Sequence, residues 1–145
     1  MTTRREFLVV VGAAVSAGAV VPACGAPDGP VDAGNVADIA EGQVMKVVGG
    51  GVLLGRDAGG LYAMTSFCTH LGCDLTESGG VVGEDGVITC GAPCGHGSRY
   101  DFDGNVLGGP AANPLKHWLL TVADDGAITV EVGSEVDAAE RVIVA

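Results

Sequence analysis

Four of the five cysteines, Cys68, Cys73, Cys90 and Cys94, fall within 27 residues, and two of the three histidines lie among them. They form two short boxes. The first is Cys68-Thr69-His70-Leu71-Gly72-Cys73, and the second runs Cys90-Gly91-Ala92-Pro93-Cys94-Gly95-His96-Gly97-Ser98-Arg99-Tyr100. Thiolate and imidazole are both good ligands for transition metals, and each box offers both within a few residues. Two such loops brought together make a site of two sulfurs and two nitrogens. A structural zinc ion could use that donor set. Plain disulfides could also account for the four cysteines in an exported protein, but they leave His70 and His96 without a reason to sit beside them. His117 has no partner at a ligand-like spacing and reads as an ordinary surface or strand residue.

Short strands and tight turns are expected to position these boxes. Glycine is abundant, with 25 residues, while aromatic content is only 4%. Val44–Val48, Val52–Arg56 and Leu61–Phe67 are apolar or β-branched runs, punctuated by Gly49-Gly50-Gly51 and Asp57-Ala58-Gly59-Gly60. Val81–Val82 and Val87–Cys90 flank a second hairpin signal, Gly83-Glu84-Asp85-Gly86. Trp118–Ala123 and Ala127–Val132 flank a third, Asp124-Asp125-Gly126. Val142–Val144 would close the sheet, with a short helical turn over Glu135–Arg141. The glycines of Gly49–Gly55 are followed by no helix and no Lys-Ser/Thr pair, which argues for a turn and against a phosphate loop. The net charge of -11 argues against a nucleic-acid surface.

The first 24 residues read as an address and not as part of the fold. Thr3-Arg4-Arg5-Glu6-Phe7-Leu8 resembles a twin-arginine export motif, and a 15-residue apolar stretch, Phe7 to Val21, follows it. As a helix it would reach only about 22 Å, against a hydrocarbon core of about 30 Å, which favours a cleaved signal over a retained anchor. Val21-Pro22-Ala23-Cys24 is similar to a lipobox, making Cys24 a candidate for lipidation. Residues 25–40 are rich in Gly, Ala, Pro and Asp and read as a flexible linker. The folded domain is expected over residues 41–145.

With its flanks, the pair of boxes resembles the Rieske iron–sulfur family, whose boxes run roughly C-T-H-L-G-C and C-P-C-H-G-S. The first box matches fully. Val87-Ile88-Thr89 before the second box, and Tyr100-Asp101, Asp103-Gly104 and Gly109-Pro110-Ala111 after it, match as well. The resemblance covers about residues 44–133. It implies an antiparallel β sandwich with a small cluster-binding subdomain of two loops, holding a two-iron, two-sulfur cluster. In that family two cysteines hold one iron and two histidines the other, and the remaining cysteine of each box joins a disulfide. Cys68 and His70 are the ligands so implied in the first box. Cys90 stands six positions before His96, where the family has three. In one register Cys90 and His96 bind and Cys94 pairs with Cys73. In the other Cys94 and His96 bind and Cys90 takes the disulfide. The first keeps the family's chain order. Leu71, Gly72, Ser98, Tyr100 and Pro110 are expected around the cluster, with Ser98 and Tyr100 donating hydrogen bonds to its sulfurs.

The cysteine pair, Ser98, Tyr100 and the export motif together resemble the high-potential branch, that of cytochrome bc-type complexes and the small subunit of arsenite oxidase. The implied role is one-electron transfer, as the iron–sulfur subunit or partner of a respiratory oxidoreductase. The implied partners are a cytochrome, an oxidase large subunit or a quinol. The implied location is the periplasmic side, with an N-terminal membrane tether. A zinc-stabilised exported binding module without redox activity is the competing reading.

Overall fold

The computed structural model describes residues 27–77 and 80–145. The twin-arginine motif, the apolar stretch after it and Cys24 lie outside the described residues.

Among the described residues, ten strands form two antiparallel sheets. They are β1 (Gly29–Asn35), β2 (Gln43–Val47), β3 (Val52–Asp57), β4 (Gly60–Thr65), β5 (Gly80–Val82), β6 (Val87–Cys90), β7 (Arg99–Asp101), β8 (Val106–Gly108), β9 (His117–Val122) and β10 (Ala127–Val136). The larger sheet runs in the order β1-β10-β9-β4-β3-β2, and the smaller in the order β5-β6-β7-β8. This is the all-β, antiparallel class expected from the short apolar runs.

The strands β3 and β4 explain why those runs are continuous and not alternating. Successive side chains of a strand point to opposite faces, and here both faces are covered. Leu53, Tyr62 and Met64 enter one core together with Ile88, Tyr100 and Leu115. Val52, Leu54, Leu61 and Ala63 enter the other with Leu120, Ile128 and Val130. Each fully buried leucine contributes roughly 1.5–3 kcal/mol. The first core joins the two sheets and also takes in Cys68, Cys73 and Cys90, so the boxes grow out of a packed core.

The expectation of a flexible linker over residues 25–40 needs correction. Gly29–Asn35 is an edge strand, with Gly29 opposite Val132 and Val31 opposite Val130. Asn35 then caps a 3-10 turn over Val36–Asp38. Ala33 and Ile39 are buried. The composition misled because an edge strand is held largely by backbone hydrogen bonds and needs apolar side chains on one face only. Pro30 is tolerated at such an edge. Among the described residues, Gly29–Ile39 is therefore part of the folded domain, ahead of the boundary expected at 41.

Three smaller differences follow from the same cause. The strands β7 and β8 have three residues each and gave no readable alternation. In place of a helical turn over Glu135–Arg141, β10 runs on to Val136. Val142 closes the sheet through one bridge to Leu61. Arg141 beside it binds Asp57 at 2.7 Å and Asp103 at 2.5 Å, and its guanidinium lies 4.0 Å from the centre of the Tyr62 ring. Asp103 follows β7, so this residue clasps both sheets. His117 is a buried strand residue and not a surface one. One face of its ring stacks on Tyr62, and Nε2 lies 2.8 Å from the carbonyl of Asp103.

Candidate metal centre

The first box is a narrow loop leaving β4. Phe67 and Asp74 face each other across an isolated antiparallel bridge at its neck. Above the neck, the Cys68 N–H donates to the carbonyl of Cys73 at 2.9 Å, and the Gly72 N–H donates to that of Cys68 at 2.8 Å. Gly72 turns with φ +77°, a conformation that a side chain would strain. The turn buries Cys68 and Cys73, leaves His70 half-buried and exposes Leu71.

The second box closes as a wide hairpin between β6 and β7. The Cys90 N–H donates to the carbonyl of Ser98, and the Gly97 N–H donates to that of Cys90, both at 2.8 Å. The three residues beyond the family spacing are absorbed inside this hairpin. The Gly95 N–H bonds back to the carbonyl of Gly91 at 2.8 Å, and Gly95 lies directly against the carbonyl of Cys90. Any side chain at 95 would collide with that carbonyl. The lengthened loop folds back on its own stem, with Cys90 buried and His96 exposed.

A disulfide joins Cys73 to Cys94 and ties the two loops together. Cys68 and Cys90 remain as free, buried thiols. The rings of His70 and His96 meet edge to face, with centroids 5.0 Å apart. The donors therefore sort into a thiol pair and an imidazole pair.

Two hydroxyls serve the thiol pair. The Tyr100 hydroxyl is 3.2 Å from Sγ of Cys68, and it accepts the N–H of Thr69 at 3.1 Å. Oγ1 of Thr69 lies 3.1 Å from the same hydroxyl and donates to the carbonyl of Asn113 at 2.7 Å. With its own proton spent on Asn113, Thr69 Oγ1 can only accept, so the phenolic proton is shared between that oxygen and the Cys68 sulfur. Ser98 is fully buried, and its Oγ accepts the N–H of Ala111 at 2.9 Å, so its own proton is free. This bond docks the Gly109-Pro110-Ala111 loop on the second box, with Ala111 buried and Pro110 exposed. Thr69, Ala111 and Asn113 escaped the sequence reading because their roles depend on contacts between residues far apart in the chain.

Electrostatics fit a metal cluster. Burial pushes the Cys68 thiol up, but hydrogen bonds from Tyr100, the His70 backbone, Cys90 and Ser98 outweigh it and hold the thiol below its ordinary range. Burial and the neighbouring Cys68 push Cys90 up to about 11. Burial and Cys68 also raise Tyr100. Neither box has a Lys or Arg before Arg99 to offset two thiolates side by side. A bound metal would supply the positive charge that lets both thiols ionise. A pair of irons, one facing the thiols and one the imidazoles, is the group whose donor chemistry matches.

Comparisons with known proteins identify relatives of the chain. Residues 29–119 match the family model described as Rieske [2Fe-2S] domain. The cytochrome b6-f complex iron-sulfur subunit of Chlorobaculum tepidum is 35% identical over 81 residues, which are 56% of this chain and 40% of that protein. The cytochrome b6-f complex iron-sulfur subunit 1 of Synechocystis is 48% identical over 58 residues, 40% of this chain and 29% of that protein. The match thus spans less than half the length of these relatives. Among solved structures, the terminal oxygenase of carbazole 1,9a-dioxygenase from Nocardioides aromaticivorans aligns with TM-score 0.50 and 27% identity, over 75% of this chain and 31% of that one.

Proposed function

The chain belongs to the Rieske [2Fe-2S] domain family, and from that premise we propose that it carries single electrons. In this reading Cys68 and Cys90 hold one iron of the cluster, and His70 and His96 hold the other. The observation that carries the assignment is the disulfide between Cys73 and Cys94, which removes Cys94 and leaves Cys68 and Cys90 as the thiol pair. That favours the register in which the longer second box keeps the family's chain order.

When bound, the cluster supplies a one-electron couple whose potential the imidazole ligands place above that of all-cysteine clusters. The chain's own residues do the rest. Cys68 and Cys90 are held in a packed core, so the sulfur side is dry and fixed. Tyr100 and Ser98 each keep a proton available to sulfur, which favours the state with more negative charge. The half-buried His70 and exposed His96 stand on the open side, beside exposed Leu71. That side is where an electron donor or acceptor would approach.

The partner in this proposal is a redox protein, a cytochrome or an oxidase large subunit, or a quinol. The curated relatives are iron–sulfur subunits of cytochrome complexes, which supports the first kind. Residues 1–24 support export by the twin-arginine route to the periplasmic side, with Cys24 as a lipid tether.

Electron paramagnetic resonance of the reduced protein, with iron and acid-labile sulfide assays, tests the proposal. A Rieske-type signal with two irons and two sulfides per chain is expected. Colourless, silent protein containing zinc would overturn it and establish the binding-module reading.

A further inference from the structure

Asp74 occupies an unusual place beside the site. It follows the disulfide cysteine Cys73 and faces Phe67 across the bridge at the neck of the first box, one residue from Cys68. Its Oδ1 accepts three hydrogen bonds, from Oγ of Ser66 at 2.8 Å, the Thr76 N–H at 2.8 Å and Oγ1 of Thr76 at 2.7 Å. The side chain thereby fastens both legs of the loop, and it is half-buried.

The surroundings make its charge conspicuous. Three loops enclose the thiols and imidazoles, residues 66–76, 90–98 and 107–115. Asp74 is the only Asp, Glu, Lys or Arg in them, although the chain as a whole carries -11. A neutral polar residue could accept the same three bonds. A carboxylate strengthens that fastening through charge-assisted hydrogen bonds, and it also leaves a fixed charge beside the site.

We propose that Asp74 positions the first box and also holds the reduction potential of the site below the value the same ligands would give with a neutral residue at 74. This rests on the cluster reading above. Reduction adds one negative charge to the site. A fixed carboxylate at the neck of the ligand loop repels that charge, and a half-buried position screens the repulsion less than water would. Tyr100 and Ser98 favour the reduced state and Asp74 opposes it, so the potential is a balance between neutral donors and one anion.

The Asp74→Asn variant separates the two roles. Asparagine offers Oδ1 to the same three donors and lacks the charge. Its iron and sulfide content and its paramagnetic signal should match the wild type, while its midpoint potential in protein-film voltammetry should move upward. An unchanged or lower potential with an intact cluster overturns the inference. If the asparagine variant loses its cluster, Asp74→Glu and Asp74→Gln give the same comparison, since both displace the carbonyl equally and differ only in charge. The glutamine variant should then show the higher potential, and equal potentials overturn the inference. Wild-type protein without iron and sulfide would instead defeat the parent reading, before any variant is compared.

Discussion

The hydroxyl of Tyr100 stands 3.2 Å from Sγ of Cys68, although 32 residues separate them. The contact forms because β6 and β7 pair Ile88 with Tyr100 and drive the ring into the core beneath the first box. The hydroxyl accepts the Thr69 N–H, and its own proton is within reach of that sulfur and of Thr69 Oγ1.

Removing that proton should make reduction harder. A hydrogen bond about 1 kcal/mol stronger in the reduced than in the oxidised state corresponds to roughly 40 mV for one electron. Tyr100→Phe should therefore retain iron and sulfide and lower the midpoint potential by a few tens of millivolts. Voltammetry showing no shift would remove Tyr100 from the tuning of the site.

Ser98 should do more than tune. Its Oγ accepts the Ala111 N–H and ties down the loop containing Pro110. Ser98→Ala leaves a buried amide unpaired, which costs about 1–3 kcal/mol. The variant should show both a lower potential and a lower melting temperature. An unchanged melting temperature would mean that the loop is held by other contacts.

The boxes and the long strands were legible in the sequence because each rests on local pattern. Cys68-Thr69-His70 marks candidate ligands by residue type and spacing, and Leu61–Phe67 announces a buried strand by its apolar run. What stayed hidden was long-range. Gly29–Asn35 looks like a tether until Val132 and Val130 are placed opposite it. The choice between Cys90 and Cys94 depended on a loop whose closure needs Gly95 against the Cys90 carbonyl, which no spacing reveals. Arg141 lies 84 residues from Asp57, and nothing local marks them as partners.

Gly95 accordingly offers a sharp test of how the long second box works. A Cβ there would overlap the Cys90 carbonyl, so the hairpin must open to admit it. Gly95→Ala should move Cys90 away from Cys68 and reduce bound iron several-fold. Gly108→Ala, where a Cβ would meet nothing nearer than Arg99 at 4.0 Å, should leave iron content near the wild-type value. Equal iron content in the two variants would refute this account of the loop.

The disulfide spans a sequence separation of 21 residues, a loop whose closure is worth about 3 kcal/mol in the chain-entropy picture. Cys94→Ser should lower stability by that order and loosen the pairing of the two boxes. The cluster should still assemble, since Cys68 and Cys90 are untouched, but iron should be lost faster to a chelator. Complete failure to bind iron would instead implicate Cys94 as a ligand.

The clasp at Arg141 predicts how the fold responds to acid. Burial pushes Asp57 up, but the hydrogen bond and charge of Arg141, with amides from Gly59 and Gly60, outweigh it and hold the carboxyl below its ordinary range. A carboxyl depressed in the folded state contributes stability that is fully present above its unfolded value, about 4, and is lost as pH falls through the lower folded value. Asp57 is partly exposed, so the effect should be modest, a few degrees in melting temperature. Wild-type protein should therefore lose stability on going from pH 5 to pH 3 more steeply than Asp57→Asn, and the two curves should converge at the acid end. Arg141→Met should flatten the slope in the same way, because the carboxyl then lacks the partner that depresses it. Parallel curves for all three proteins would show that the clasp contributes nothing to acid sensitivity, whatever its geometry.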